Sequence, residues 1–344
     1  MDSRWTVSPG VALLGHGLPG SAVEWARAAE RAGFGSLWVI EDYFNPGAFA
    51  IAGALAAATE RIGIGLGVVN PYTRHPAVLA METAALDGLA PGRVALGLGS
   101  SNPRWIDEQM AIPFKTPLRG LRESVEIVRR LLAGERVTFE GECFTVRDVA
   151  LDTPPAQKVA VVLGVKGPRA LGLAGEVADG VVCSVLTSPA HVRRVRSAAG
   201  DVRSSAAGSE SRFSVLAYLP VSVSPNGRAA RDRVRPLLAR YLGVLHAQSI
   251  LADAGLAPAD TQPFRDALLA RRRAADLITD AMLDMLAVAG TRAECERALA
   301  RFAEAGLDAP VAVLPPGVPL TEQLRERGET LVPAWREIVS RRSA

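Results

Sequence analysis

Residues 63–101 read GIGLGVVNPYTRHPAVLAMETAALDGLAPGRVALGLGSS, and their internal rhythm decides the fold. The run 62–69, IGIGLGVV, is short, apolar and not alternating, the mark of a strand covered on both faces. Pro76 stands where a helix can begin, because its fixed φ suits the first turn and its missing N–H costs nothing there. The helix it opens reaches Leu89, and RVALGLG (93–99) is the next buried strand. Strand, helix and parallel strand in under forty residues make a βαβ unit.

The unit recurs in both directions. Upstream, VALL (11–14) precedes a helix opened by Ser21, with Glu24 three residues on as a capping box, and running to Gly33. SLWVI (36–40) and a helix over 48–59 follow. Downstream comes a helix over 118–132, then RVTFEGECFTV (136–146), whose alternation breaks at Glu140 and Gly141 and reads as a hairpin inserted before the fifth strand. VAVVLG (159–164), GVVCSV (180–185) and FSVLAYLPVSV (213–223) supply strands five to seven. From Arg228 to Leu307 the pattern is Ala/Leu/Arg-rich and helical, with breaks near Gly255, Pro263 and Gly290 and no strand signal. VAVLP (311–315) is the eighth strand, and 321–339 the closing helix.

Eight such units predict a (β/α)8 TIM barrel, which needs ~250 residues before insertions. An open doubly wound sheet fits less well, because no GxGxxG follows the first strand. The expected organisation is one domain over residues 1–344, with 228–307 as a helical insertion covering the barrel mouth. Leu238, Leu242 and Leu245 in that insertion are spaced like a packing stripe.

Composition narrows the function classes. The chain has 344 residues, 49% hydrophobic, and its 39 Lys and Arg against 36 Asp and Glu leave a net charge of only +3. So even a balance argues against a nucleic-acid or membrane surface. Three distant cysteines, Cys143, Cys183 and Cys295, make neither a disulfide framework nor a metal motif. No basic-then-apolar leader and no run of ~18 apolar residues is present, so the expected setting is the cytoplasm.

In a barrel the chemistry sits at the C-terminal strand ends. Strand two ends in Glu41 and Asp42, adjacent carboxylates of which one can point into the barrel mouth while the other faces the helix layer; they read as a proton donor or acceptor, or a hydrogen-bond acceptor for a ring-bearing ligand, with a helix N-cap or a solvated loop acid as the alternative. Strand three runs through Gly67, Val68, Val69 and Asn70 into Pro71-Tyr72-Thr73-Arg74-His75-Pro76. His75 resembles a catalytic histidine, but its place directly before Pro76 reads rather as a turn residue ahead of the helix. His16 lies near the mouth; His191 and His246 fall on helices. Ser100, Ser101 and Asn102 after strand four bring small groups to the mouth. After strand five, Gly164, Val165, Lys166, Gly167 and Pro168 open a helix beside cations, an anion-binding arrangement. Trp105 and Tyr72 are candidates to stack on a ligand or to pack against loops. No HExxH, GxSxG or Walker A motif is present, which directs attention to an organic cofactor.

Three segments in consistent order, GFGSLWVIEDYF (33–44), the stretch 63–101 and GPRALGLAGEVADGVV (167–182), resemble the bacterial-luciferase-like superfamily. The likeness is nearest to its coenzyme F420-dependent branch, which includes methylenetetrahydromethanopterin reductase. It spans roughly residues 5–200. The resemblance implies a TIM-like barrel, usually dimeric, that holds a deazaflavin or flavin ring in its mouth. It also implies a non-prolyl cis peptide at Gly67-Val68 on a bulge behind the ring. Asn70 matches a position at the ring's polar edge. Ser100, Ser101, Gly164, Lys166, Gly167 and Pro168 match the phosphate-arm positions.

This chain departs from its relatives at two points. Where many F420-dependent relatives end strand two in Asp-His, it has Glu41-Asp42. Where some carry a glutamate after strand four, Asn102 stands, followed by Asp107 and Glu108. The resemblance therefore implies a reductase rather than a sugar-phosphate dehydrogenase, moving hydride between the C5 of F420 and a C=N or C=C bond of a small molecule, with Asp42 or Glu41 moving the proton. An FMN-dependent monooxygenase, and a barrel that binds a flavin-like molecule without turnover, are the alternatives. No metal and no nucleic-acid or membrane partner is expected, and a homodimer is.

Overall fold

A computed structural model describes Trp5 and residues 8–13, 19–205, 213–316 and 319–343. Eleven strands are present among them: β1 (Gly10–Leu13), β2 (Ser36–Val39), β3 (Gly63–Val69), β4 (Val94–Leu98), β5 (Val137–Glu140), β6 (Thr145–Val149), β7 (Ala160–Leu163), β8 (Gly180–Cys183), β9 (Ser214–Val223), β10 (Val288–Gly290) and β11 (Ala309–Val313). β1, β2, β3, β4, β7, β8, β9 and β11 pair in that order, all parallel, and β11 returns to β1 to close the ring. The eight-stranded parallel barrel is the (β/α)8 fold.

Alternation along each strand builds two cores. Side chains pointing out, such as Val11, Leu13, Leu37, Val39, Ile64, Leu66, Leu96 and Leu98, pack under the helix ring. Those pointing in are Ala12, Trp38, Ala95, Val162, Val182, Leu216, Tyr218, Val311 and Val313. Small residues inside are matched by two large ones: Trp38 meets Tyr218 edge-on at 6.5 Å and Trp5 at 5.6 Å, a favoured geometry for aromatic pairs.

The hairpin falls where the alternating run places it. β5 and β6 pair antiparallel outside the barrel, and buried Glu123 on helix Pro117–Leu132 accepts the backbone N–H groups of Glu142, Cys143 and Phe144. The helix 76–89 starts at Pro76 and ends at Leu89 as expected.

Two local expectations are corrected. Ser21 precedes helix Ala22–Arg31, but its side chain makes no cap hydrogen bond and its backbone (φ −99°, ψ 1°) lacks the extended shape a capping box needs. The 228–307 block is not strand-free. β10 pairs beside Val221–Val223, too short a strand for a sequence pattern, and splits the block. Helices Gly227–Val244, Ser249–Asp253, Pro258–Leu269 and Asp280–Leu286 precede it, and Arg292–Glu304 after it joins the outer ring. Leu238, Leu242 and Leu245 are buried against the inner core, so the stripe is packing. Among the described residues no helix is long and apolar enough to cross a membrane.

Candidate active site

The mouth is organised by the end of β3. Pairing between β3 and β4 slips between Leu66 and Val69, and the Gly67-Val68 peptide is cis, as the resemblance implies; Tyr43-Phe44 is a second non-prolyl cis peptide. Tyr218, projecting inward from β9, donates its hydroxyl to the Gly67 carbonyl at 2.8 Å. A Cβ on Gly67 would overlap that hydroxyl, so the position demands glycine. The Val68 side chain stands over the ends of β4 and β7. A Cβ at Gly99 would come within 2.5 Å of one Val68 methyl, and a Cβ at Gly164 within 2.8 Å of the other. The glycine-rich ends GLGSS and LGVKG therefore make room for the bulge.

Glu41 and Asp42 have opposite surroundings. Both oxygens of Glu41 are committed: Arg74 grips them in a two-pronged pair at 2.6 and 2.9 Å, and Ala48 N–H, opening helix Ala48–Ala58, donates to Oε1 at 3.0 Å. Asp42 is half-buried, and its carboxylate accepts no hydrogen bond among the described residues. Burial pushes its pKa up, and the Arg240 guanidinium opposes part of that rise. Tyr218 and Tyr241 are both pushed up by burial, and the Asp42 charge adds to the rise in each. Arg240 and Tyr241 ride on helix Gly227–Val244 in the helical block.

The remaining candidates divide. Asn70 is buried and engaged at both ends, donating to the Ser100 carbonyl at 2.8 Å and accepting from Tyr72 N–H at 2.6 Å. It ties β3 to the strand-four loop. Ser101 is exposed in the left-handed region at φ 65°. Asn102 accepts from Trp105 N–H at 3.1 Å and caps the π-helical turn Arg104–Gln109. Val165 is buried in the outer core. Gly167 precedes helix Pro168–Val177, whose N-terminus no side chain caps among the described residues, leaving backbone N–H groups for an anion. Lys166 donates instead to Gln248 in the helical block, at 2.8 Å.

His75 takes the turn role: its Nδ1 accepts from Ala77 N–H and caps helix Pro76–Leu89. His16 lies outside the described residues. His191 bonds Asp253, and His246 bonds Thr261. Tyr72 packs against Phe114 and Phe144 and donates to the Lys115 carbonyl. Trp105 meets Tyr43 edge-on at 5.6 Å, forming with exposed Phe44 an aromatic rim by the Asp42 strand end. Tyr218, Arg240 and Tyr241 escape sequence reasoning. Two-residue counting along β9 would have turned Tyr218 inward; nothing local marks the other two.

The described geometry fits a flat ring and an anionic arm: a glycine-cleared bulge, an unpaired acid beside it, and an uncapped helix N-terminus across the mouth. Known proteins resemble the chain in sequence and in fold. Over 318 residues, 90% of this chain and 94% of the other, the sequence is 28% identical to 5,10-methylenetetrahydromethanopterin reductase of Archaeoglobus fulgidus. Over 232 residues, 63% of this chain and 68% of the other, it is 32% identical to an F420-dependent glucose-6-phosphate dehydrogenase of Microbacterium testaceum. The fold superimposes on the coenzyme F420-dependent tetrahydromethanopterin reductase of Methanopyrus kandleri with a TM-score of 0.82, at 22% identity, covering 95% of this chain and 99% of that one. The profile of the family described as luciferase-like monooxygenase matches residues 6–309, the barrel as far as the start of its last strand, and the chain belongs to that family.

Proposed function

We propose that this chain is a coenzyme F420-dependent oxidoreductase that reduces a C=N or C=C bond of a small molecule, working as a cytoplasmic homodimer. The observation that carries the reading is Asp42, a half-buried carboxyl with no hydrogen-bond partner among the described residues, one strand away from the Gly67-Val68 bulge. The Microbacterium dehydrogenase and the Methanopyrus reductase, both F420-dependent by name, support the choice of cofactor.

Reduced F420, when bound, supplies a hydride from its C5. The backbone of Gly67, Val68 and Val69 supports the ring, with Tyr218 fixing the Gly67 carbonyl. Ser100, Ser101 and the helix N-terminus after Gly164, Gly167 and Pro168 take the phosphate arm. Asp42 gives its proton to the atom of the double bond that does not receive the hydride, then recovers one from water. Burial keeps that proton on the carboxyl to a higher pH than in an exposed aspartate. Glu41 holds Arg74 and the start of helix Ala48–Ala58, and so positions the strand end. Tyr241 and the aromatic rim exclude water from the reacting bond.

Titration of the purified chain with F420 and FMN in parallel, read by each cofactor's own fluorescence, tests the assignment. Tight binding of F420 alone is the expected result. Preference for FMN would move the chain to oxygen-dependent chemistry, and binding of F420 without turnover of any imine or enoyl substrate would leave a carrier.

A further inference from the structure

The turn that follows Asp42 carries the most exposed large apolar side chain among the described residues, Phe44 at 69%. The Asp42 carbonyl accepts Asn45 N–H at 2.7 Å, which closes a turn with Tyr43 and Phe44 at its corners. Two residues of chain keep the Phe44 backbone within about 7 Å of that of Asp42. Such corners ordinarily hold Gly, Pro, Asn, Asp or Ser, and a phenyl ring left in water forgoes its burial energy.

The ring belongs to an anchored cluster. Thr73 Oγ1 donates to the Asn70 carbonyl at 3.2 Å and so accepts the Tyr43 hydroxyl, 2.8 Å away. That bond fixes Tyr43 to the loop after β3. The Tyr43 ring then meets Phe44 at 5.7 Å, tilted by 57°, and Trp105 at 5.6 Å, at 75°. Tyr43 is thus the shared contact of two rings, neither of which lies flat upon it. Trp105 comes from the π-helical turn Arg104–Gln109 after β4, a device frequent at functional sites. Asn102 holds the Trp105 N–H, and Ile106 is fully buried beneath the turn. Among the described residues no guanidinium covers the face of any of the three rings.

Rings held from behind and left uncovered beside an acid are suited to a partner of their own kind. A flat conjugated ring gains offset or edge-on contact with them, whereas a saturated ring of the same size gains burial alone. We infer that Phe44 and Trp105 are specificity-determining residues that receive an aromatic ring of the substrate, which makes that substrate a C=N or C=C compound with an aromatic ring next to its double bond. This rests on the mouth being the catalytic pocket proposed above, with Asp42 moving the proton. Tyr43 is a positioning residue, acting through its hydroxyl on the spacing of the two rings.

Matched pairs separate ring recognition from bulk. Phenylpyrroline and cyclohexylpyrroline share a cyclic C=N bond, and benzylideneacetone and its cyclohexyl counterpart share a C=C bond. Each is titrated by calorimetry into the full-length chain, first without cofactor and then saturated with oxidised F420, which has no hydride to give. The phenyl member of at least one pair should bind about threefold to tenfold tighter than its partner in both states. That preference should vanish in Phe44→Ala and in Trp105→Ala, survive in Phe44→Tyr and weaken in Tyr43→Phe. F420 affinity should stay within about twofold of the parent in all of them, and thermal melts confirm folding. Equal affinities within both pairs, absence of binding by every probe, or a preference untouched in both alanine variants overturns the inference. So does a changed oligomeric state of Phe44→Ala in sedimentation, which would make the exposed ring a contact between copies. Failure of the parent to bind F420 would defeat the cofactor assignment alone, because each pair is also measured without it.

Discussion

Glu41 and Asp42 are neighbours in sequence and differ in almost every physical respect. Glu41 is spent on Arg74 and Ala48 N–H, so Glu41→Gln should cost about 2 kcal/mol of stability through the broken part-buried pair, read by denaturant unfolding, with modest effect on turnover per folded molecule. Asp42→Asn should do the reverse: F420 affinity stays, and kcat falls by about 100-fold or more, the usual worth of a placed acid. Unchanged turnover would remove Asp42 from proton transfer. Because the folded pKa of Asp42 is raised, the folded state holds this proton longer than the unfolded chain does. Folding is therefore penalised as pH rises through that window, and Asp42→Asn should melt higher than the parent at neutral pH. Lys166 runs the other way. The folded chain releases its proton near pH 8, while the unfolded chain keeps it to the ordinary lysine range. Stability thus climbs as pH rises above about 8, and Lys166→Gln should be more stable than the parent at pH 7 and lose the advantage at high pH. A flat difference between the two melting profiles across that range would sink the assignment.

At the level of elements, the strand ends carry a packing logic that only three dimensions reveal. Gly99 on the β4 loop and Gly164 on the β7 loop both face Val68 on β3, contacts separated by 31 and 96 residues of chain. Gly99→Ala should therefore lower the melting temperature and F420 affinity together. Adding Val68→Ala, which deletes both methyls in the way, should recover stability relative to Gly99→Ala alone, with a coupling of about 1 kcal/mol; strict additivity would show that the glycine serves another purpose. The strands themselves are legible in the sequence because a strand covered on both faces must be apolar throughout, and helix 76–89 is legible because Pro76 and His75 mark its start locally. The cis bond at Gly67-Val68 is reached through resemblance. What stays hidden is whatever depends on distant partners: the commitment of Glu41 to Arg74, the inward Tyr218, Arg240 and Tyr241 brought down by the helical block, and the failure of Ser21 to cap, which turns on its own backbone angles.

The outer surface of the barrel is uneven. Helix Pro76–Leu89 exposes Val78, Met81 and Leu89 at 38, 55 and 58%, three large apolar side chains that fall on one side of the helix. The helix beside it, Ala48–Ala58, contains no charged residue at all. An apolar stretch of this kind on a chain of net charge +3 is what a second copy would cover, since a stable interface needs ~800 Å² from each partner and a charge-depleted centre. Two copies of one face meeting about a twofold axis bury these residues against themselves. We therefore expect sedimentation to give a dimer at micromolar concentration. Met81→Arg combined with Leu89→Arg should convert it to a monomer, because each arginine would be buried opposite its own copy. Far-ultraviolet circular dichroism of the variant should match the parent, as both positions point away from the core. A dimer that survives both arginines places the interface elsewhere on the barrel, and a monomeric parent removes the dimer from the account of how this chain works.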